Sequence, residues 1–408
     1  MSTHKSMRKG DRAVASAVRA AQPDVVSAYP ITPQTGIVER LSQYAADGEL
    51  DGEFLTVDSE FNACSSLIGA SAAGARTFSA TSSQGLKLMS EPLFTASGMR
   101  LPIVMVVANR SLSAPLSIWN DHTDAFAERD GGMIQLFAED VQEAVDDVLM
   151  AYRVAEDPDI SLPALVNMDG YVLTHVKEPV DLFDEAEATA YLPPRDPVYT
   201  LDPSDPKTMG AYARPEHWTE TRYAVHDALE RAKEAIGEAT EAFADAFGRE
   251  YGLERGGLVE TYGDEDADLA LLALGSLCGT IRTVIGDLDT PVKLVKPRVY
   301  RPFPDEELRD ALRDVSTVGV LTKEVSPGHG SSLATEVKSA LYDARDRPSV
   351  RSYVVGLAGR DVPREEIAEI VDELERTVGF APSDMTAEWA EAWPQLREDL
   401  LPEEVSPP

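Results

Sequence analysis

Apolar and polar positions along this chain repeat at two periods. Short β-branched runs recur through residue 180, at DVVSAYP, FLTVDS, RTFSATS, LPIVMVVANR and SLPALVNMD, with helical spacing between them. Strands that alternate with helices predict a parallel α/β sheet, because a parallel crossover needs about a dozen residues and a helix supplies them. GIVERLSQYAADGEL has helical spacing, and Ser59 is placed to cap a helix from Glu60 through NACSSLIGASAAGA. Near its end that helix gathers Gly69, Ala70, Ala72, Ala73 and Gly74, a small-residue face that lets another backbone come close or simply packs densely.

From Glu178 to Pro215 the chain turns rich in Pro and Asp, which predicts an extended connection with little sheet of its own. A long charged helix is expected over roughly 219–250. A second, smaller α/β unit opens at DLALLALGS and continues through VKLVKPRVYRPFP, VGVLTKE and VRSYVVGLAG. The expected organisation is one α/β unit over 1–180, a linker and long helix over 181–260, a second unit over 261–378 and an acidic tail over 379–408. The tail ends in LPEEVSPP, whose composition predicts disorder.

Composition changes this picture in three ways. At 408 residues the chain exceeds what one core supports, in line with two or three domains. No apolar run approaches the ~20 residues of a membrane span, and the basic MSTHKSMRKGDR lacks the apolar stretch of a secretory signal, so a cytoplasmic protein is expected. Cys64 and Cys278 lie far apart and outside any CxxC, so they are read as buried thiols and this chain as unable to hold an iron–sulfur cluster. The net charge of −34 argues against gripping nucleic acid. Acidic residues are spread along the whole chain, and only 10 of the 37 basic residues are Lys. That surface resembles proteins of salt-accumulating halophiles, in which molar salt shortens the screening length to about 3 Å.

The chain has no GxGxxG, no GxxxxGK[ST] and no HExxH. Its distinctive residues are Tyr29-Pro-Ile-Thr-Pro-Gln-Thr35, Asp58-Ser-Glu-Phe-Asn62, Gly69-Ala-Ser-Ala-Ala-Gly-Ala-Arg76 and Ala80-Thr-Ser-Ser-Gln-Gly85. They continue with Ala108-Asn-Arg-Ser-Leu-Ser-Ala-Pro115, Trp119-Asn-Asp-His122, Asp169-Gly-Tyr-Val-Leu-Thr-His175 and Glu178-Pro-Val. In this order the set resembles the α subunits of the 2-oxoacid:ferredoxin oxidoreductases, the pyruvate branch in particular. Arg298-Val-Tyr-Arg-Pro-Phe-Pro304 and Ser326-Pro-Gly-His-Gly330 carry the likeness, more weakly, into a domain similar to the C-terminal domain of transketolases.

The resemblance implies a thiamine-diphosphate pyrimidine-binding domain with a parallel sheet, followed by a smaller transketolase C-terminal-like domain. It implies oxidative decarboxylation of a 2-oxoacid with coenzyme A as cosubstrate, giving an acyl-CoA, CO2 and reduced ferredoxin. It also implies a β subunit that holds Mg2+ and the cofactor's diphosphate, and γ and δ subunits, or equivalents, that carry [4Fe-4S] clusters and pass electrons to ferredoxin. Glu60 matches the glutamate that hydrogen-bonds the pyrimidine N1′ and favours the imino tautomer. From spacing alone it is a first-turn glutamate serving the helix dipole, worth ~0.3–1 kcal/mol. Pro30 and Ile31 match cofactor contacts, and Thr32 and Arg110 match residues beside the substrate carboxylate. This chain is assigned no metal ligand. Branched-chain 2-oxoacid and oxalate relatives, and a non-catalytic assembly subunit, are the alternatives, and Thr32 argues against oxalate.

Overall fold

The computed structural model describes residues 5–377 and the short strand Glu388–Trp389, so most of the expected acidic tail lies outside the described residues. The chain opens with β1 (Lys5–Lys9), α1 (Gly10–Ala21), β2 (Val25–Ala28), α2 (Thr35–Ala46), β3 (Glu53–Thr56), α3 (Glu60–Ala72) and β4 (Thr77–Thr81). The helix pair α4 (Ser83–Leu88) and α5 (Ser90–Gly98) leads to β5 (Val104–Asn109), α6 (Thr123–Phe126), β6 (Ile134–Phe137), α7 (Val141–Ala155) and β7 (Ala164–Asp169). After β8 (Lys177–Asp181) and α8 (Glu185–Tyr191) comes the long α9 (Pro215–Phe247). The C-terminal part holds β9 (Val259–Gly263), β10 (Leu269–Leu272), α10 (Leu277–Asp287), β11 (Lys293–Pro297), β12 (Val299–Arg301) and α11 (Asp305–Ala311). It ends with β13 (Thr317–Thr322), α12 (Ser332–Leu341), β14 (Ser349–Val354), α13 (Arg364–Thr377) and β15 (Glu388–Trp389).

A seven-stranded sheet runs in the order β12-β6-β7-β5-β4-β2-β3, parallel throughout except for β12. Its centre is buried on both faces. Val104 and Val106 of β5 join the core under α1, α7 and α9, while Met105 and Val107 join the one under α3 and α5. Helices on both sides explain why VMVVAN is continuously apolar instead of alternating. The second sheet runs β15-β14-β13-β10-β11-β9, with β9 antiparallel to β11. As expected, Ser59 caps α3, its side chain accepting from Asn62 N at 3.2 Å.

Three segments depart from the expectation. The connection after residue 178 does contain sheet, because β8 pairs antiparallel with the basic segment β1 in the register Lys5↔Asp181. Pro179 is tolerated there because this two-stranded ribbon leaves one edge of β8 without a ladder to complete. The run VKLVKPRVYRPFP splits between the sheets: β11 joins the second, and β12 crosses to pair with β6 of the first. A strand before DLALLALGS, β9, closes the far edge of the second sheet.

Buried charge explains the split. Arg298, 2% exposed, sits between β11 and β12 and donates from Nε to Glu143 Oε1 at 2.7 Å, from Nη2 to Asp147 Oδ1 at 2.8 Å and from Nη1 to Gly257 O at 2.8 Å. Lys296 Nζ donates to Glu143 Oε2 at 2.8 Å and to Glu260 Oε2 at 2.6 Å. Glu143 and Asp147 lie one turn apart on α7, so the two cations draw the second unit onto the first. Burial alone raises a carboxyl, yet Lys296 and Arg298 hold Glu143 down at about 2. Asp147 is pushed up to about 8, because burial and the nearby Glu143 outweigh Arg298. Burial also pushes the Cys64 thiol up to about 12 and Cys278 well above the usual range. Among the described residues no helix is long and apolar enough to cross a membrane.

Arg298→Ala removes the buried cation shared by Glu143 and Asp147 and leaves Lys296 alone on Glu143, so it is expected to cost ~3–5 kcal/mol in denaturant unfolding. A loss under about 1 kcal/mol would show that this network does not hold the two sheets together.

Candidate functional site

The C-terminal ends of β2, β4, β5 and β7 carry loops that meet on one rim of the first sheet, where an open parallel sheet takes its ligands. After β2, Tyr29, Pro30 and Thr32 are exposed and Ile31 is half-buried. Gln34 pins this loop: its Nε2 donates to Tyr29 O at 2.9 Å and its N–H to Ile31 O at 3.0 Å. Arg110, the residue after β5, is buried and reaches the same loop, donating from Nη1 to Thr32 O at 2.8 Å. Its Nε donates to Ser117 O at 2.9 Å. The fold thus brings Thr32 and Arg110 together through the threonine carbonyl, and two of the three guanidinium nitrogens bond the chain itself. Nη2 has no partner among the described residues.

Glu60 starts α3 and is only 7% exposed, yet among the described residues its carboxylate has neither a hydrogen-bond nor an ion-pair partner. Gly85 packs against it: a Cβ there would lie 2.7 Å from Glu60 Oε1 and 2.5 Å from Thr81 Oγ1, so a larger residue would displace one of the two side chains. Thr81 Oγ1 is itself buried and unpartnered. Glu60 and Thr81 thus both bring a polar side chain against Gly85.

Asp124 joins these pieces, and the sequence reading passed over it. Fully buried in the first turn of α6, its Oδ2 accepts from Arg110 N at 3.0 Å and Ser83 N at 2.9 Å, and its Oδ1 from Asn109 Nδ2 at 3.0 Å and Ala125 N at 2.8 Å. Ser83 is held at φ +49, a strained position for a residue with a side chain, and its hydroxyl donates to Ser111 O at 2.5 Å. One carboxylate thus ties the turn before Gly85 to the strand end that carries Arg110. Burial raises the Asp124 carboxyl to about 6 against the lowering pull of its donors. The one signal in the sequence was an Asp beside the apolar pair Ala125-Phe126, two residues beyond the run Trp119-Asn-Asp-His122.

Chemically, the rim offers an unpartnered carboxylate able to accept a proton or an N–H, and a free guanidinium nitrogen beside an exposed hydroxyl, able to hold an anion. The donor set of Glu60 and Thr81 fits an aromatic nitrogen base. Among the described residues no group of three His, Cys, Asp or Glu side chains is placed to hold a metal ion.

Residues 16–241 match the family described as pyruvate flavodoxin/ferredoxin oxidoreductase, thiamine diP-bdg, and residues 267–367 match pyruvate:ferredoxin oxidoreductase core domain II. Pyruvate synthase subunit PorA of Methanosarcina barkeri is 46% identical over 398 residues, covering 96% of this chain and 97% of that protein. PorA of Methanothermobacter thermautotrophicus is 48% identical over 368 residues, 90% of this chain and 94% of that protein. Ketoisovalerate oxidoreductase subunit VorA of Pyrococcus horikoshii is 41% identical over 389 residues, 94% of this chain and 97% of that protein. In three dimensions, the 2-oxoglutarate:ferredoxin oxidoreductase of Magnetococcus marinus, solved with 2-oxoglutarate, coenzyme A and succinyl-CoA, aligns with a TM-score of 0.68 at 20% identity. That alignment covers 91% of this chain and 65% of the solved one, so this chain spans under two thirds of its neighbour. A split-gene transketolase aligns with a TM-score of 0.50 at 13% identity, over 89% of this chain and 96% of that one. Both neighbours agree with the expected fold, a parallel-sheet cofactor-binding domain followed by a transketolase C-terminal-like domain.

Because its folded pKa is raised, the Asp124 carboxyl favours the fold below its unfolded value of 3.8, and that contribution is lost as pH rises through about 6. The stability of the parent relative to Asp124→Asn is therefore expected to fall by up to about 3 kcal/mol across that window, in denaturant unfolding at stepped pH. A flat difference would contradict the buried, four-donor environment assigned to Asp124.

Proposed function

This chain belongs to the pyruvate flavodoxin/ferredoxin oxidoreductase family, and we propose on that premise that it is the α subunit of a pyruvate:ferredoxin oxidoreductase. The reaction is oxidative decarboxylation of pyruvate with coenzyme A to acetyl-CoA, CO2 and reduced ferredoxin. Pyruvate is preferred to a branched-chain 2-oxoacid because the two methanogen PorA relatives are 46% and 48% identical, against 41% and 40% for two VorA relatives named for ketoisovalerate. The observation that carries the proposal is Glu60 at the start of α3, 7% exposed, without a hydrogen-bond or ion-pair partner among the described residues and packed against Gly85.

Thiamine diphosphate, when bound, supplies the nucleophilic carbon that attacks the 2-oxoacid carbonyl and takes up the electron pair released with CO2. Glu60 holds a proton at the pyrimidine N1′, and the low-dielectric pocket strengthens that bond. Pro30 and Ile31 give the ring an apolar wall. Arg110 Nη2 and the Thr32 hydroxyl hold the substrate carboxylate until it leaves. The bonds from Nε and Nη1 to Ser117 and Thr32 set the guanidinium's orientation beforehand, which lowers the entropy cost of binding.

Another chain completes the site. The exposure of Tyr29, Pro30 and Thr32 supports a partner that covers this rim. In the proposed assembly a β subunit holds Mg2+ and the cofactor's diphosphate, γ and δ subunits or their equivalents carry [4Fe-4S] clusters, and the complex works in the cytoplasm. Residues 1–180 bind the pyrimidine, 181–260 link, and 261–378 form the transketolase C-terminal-like domain.

Glu60→Gln keeps the shape of the side chain but removes the carboxylate, so turnover of the assembled complex is expected to fall by about 100-fold or more. Hydrogen–deuterium exchange at the cofactor C2 should slow in parallel. Retention of over half the activity would favour the helix-dipole role instead. Arg110→Ala is expected to lower kcat/KM for pyruvate by about 10- to 150-fold, and Thr32→Val by less. An effect within twofold in a cofactor-loaded complex would remove Arg110 from the site.

With 71 acidic residues against 37 basic ones, the chain is also proposed to need salt. Its melting temperature is expected to be higher in molar potassium chloride than at 0.1 M, where charges still repel over about 10 Å. A melting temperature that is flat or falls with salt would exclude this.

A further inference from the structure

The second sheet also has a ligand-binding end, where Gly275 and Ser276 follow β10, Lys323 follows β13 and Gly356 follows Val354 and Val355. The first unit fills it. Asp169, the last residue of β7 and 1% exposed, points its carboxylate at the start of α10, where Ser276 holds the N-cap position without a side-chain capping bond. Its Oδ2 accepts from Lys323 Nζ at 2.8 Å, from Ser276 N at 3.3 Å and from the Ser276 hydroxyl. Its Oδ1 meets His122 Nε2 at 2.6 Å. Although burial opposes ionisation, Lys323 and His122 hold the carboxyl well below the usual carboxylate range. Gly275 stands at φ +64, where a Cβ would press on His122 Nε2 at 3.1 Å and on Asp169 Oδ1 at 3.2 Å. An ammonium, a hydroxyl and a helix N-terminus converging on one anion is the arrangement that binds phosphate or carboxylate ligands elsewhere. Here the anion belongs to the same chain.

From Asp169 two short routes lead to Arg110. Along the sheet, Gly170 N donates to Asn109 O at 3.1 Å, one residue before Arg110. Through the loop, His122 N donates to Lys323 O at 2.8 Å, Gly359 N to Asn120 O at 2.6 Å and Ala358 N to Asp121 Oδ2 at 3.2 Å. That anchored loop then returns to the site: Ser111 N donates to Trp119 O at 3.1 Å, and Ser117 O receives the Arg110 Nε.

We propose that Asp169 serves as a built-in anionic ligand of the second α/β unit, and that Lys323 and Ser276, by gripping it, are positioning residues for Arg110. The catalytic half of this inference rests on the reading that Arg110 holds the substrate carboxylate. It gives the second unit a task in the reaction: it sets the loop whose carbonyl orients the guanidinium.

In the assembled complex, Lys323→Met is expected to raise KM for pyruvate by about 10-fold, while hydrogen–deuterium exchange at the cofactor C2, which depends on Glu60, stays within about twofold. Lys323→Arg should recover part of the loss. In an Arg110→Ala background, Lys323→Met should add less than about twofold, because the two act through one contact. In the purified chain, backbone amide exchange at Ser111 and His122 should quicken in Lys323→Met, whatever the assembly turns over. The inference is overturned by a KM within twofold of the parent, by an undiminished effect in the Arg110→Ala background, or by an equal loss in C2 exchange that marks general damage. If Lys323→Met does not fold, Ser276→Ala is measured instead, with about a threefold rise in KM and faster amide exchange expected and no change in either overturning the idea. A parent complex inactive on every 2-oxoacid would sink the proposed function and the catalytic half with it, and the amide exchange would still decide whether Lys323 and Asp169 clamp the loop.

Discussion

Everything at the rim depends on two α/β units being held strand-end to strand-end, and buried charge holds them there. Arg298 between Glu143 and Asp147, with Lys296 beside it, places cations of the second unit against carboxylates on α7 of the first. In that environment a charge without its partner is costly, so the geometry admits little drift. The apolar core then runs on without a break, from Val104 and Val106 to Val318 and Val320. With β12 pulled into the first sheet, the C-terminal ends of β10 and β13 face those of β5 and β7.

The same constraint separates filled polar sites from unfilled ones. Two buried carboxylates are thoroughly satisfied, Asp124 by four donors and Asp169 by Lys323, Ser276 and His122. Among the described residues Glu60 has no partner and Arg110 keeps one nitrogen free. Arg110 follows a strand end braced by Asp124, so that side of the site meets the ligand already arranged.

Charge has two roles in this molecule. Of the few cations present, Arg298, Lys296, Arg110 and Lys323 are buried within the fold. Buried carboxylates, Glu143, Asp147, Asp124 and Asp169 among them, outnumber the buried cations, which makes each internal Lys or Arg a structural part. It also means that losing one buried cation costs more than losing any surface pair, since exposed pairs are worth ~0–1 kcal/mol.

Much was legible in the sequence alone because it was local. The β-branched runs, the Ser59 cap before Glu60 and the continuous apolar β5 depend on near neighbours and on burial from both faces, and these leave a periodic trace. The ordered motifs around Thr32, Glu60 and Arg110 pointed to one family for the same reason, since each lies within a few residues of a strand end or helix start. What only the tertiary structure decided depends on residues far apart in sequence. Pairing of β1 with β8 overrode a Pro- and Asp-rich composition, and Arg298 carried β12 into the other sheet. Asp124, Asp169, Ser276 and Lys323 gain their meaning from partners up to 154 positions away. No periodicity records such contacts, because a side chain's environment in a doubly layered fold is set by which strands lie side by side, and that order emerges only when distant charges and apolar faces are buried together.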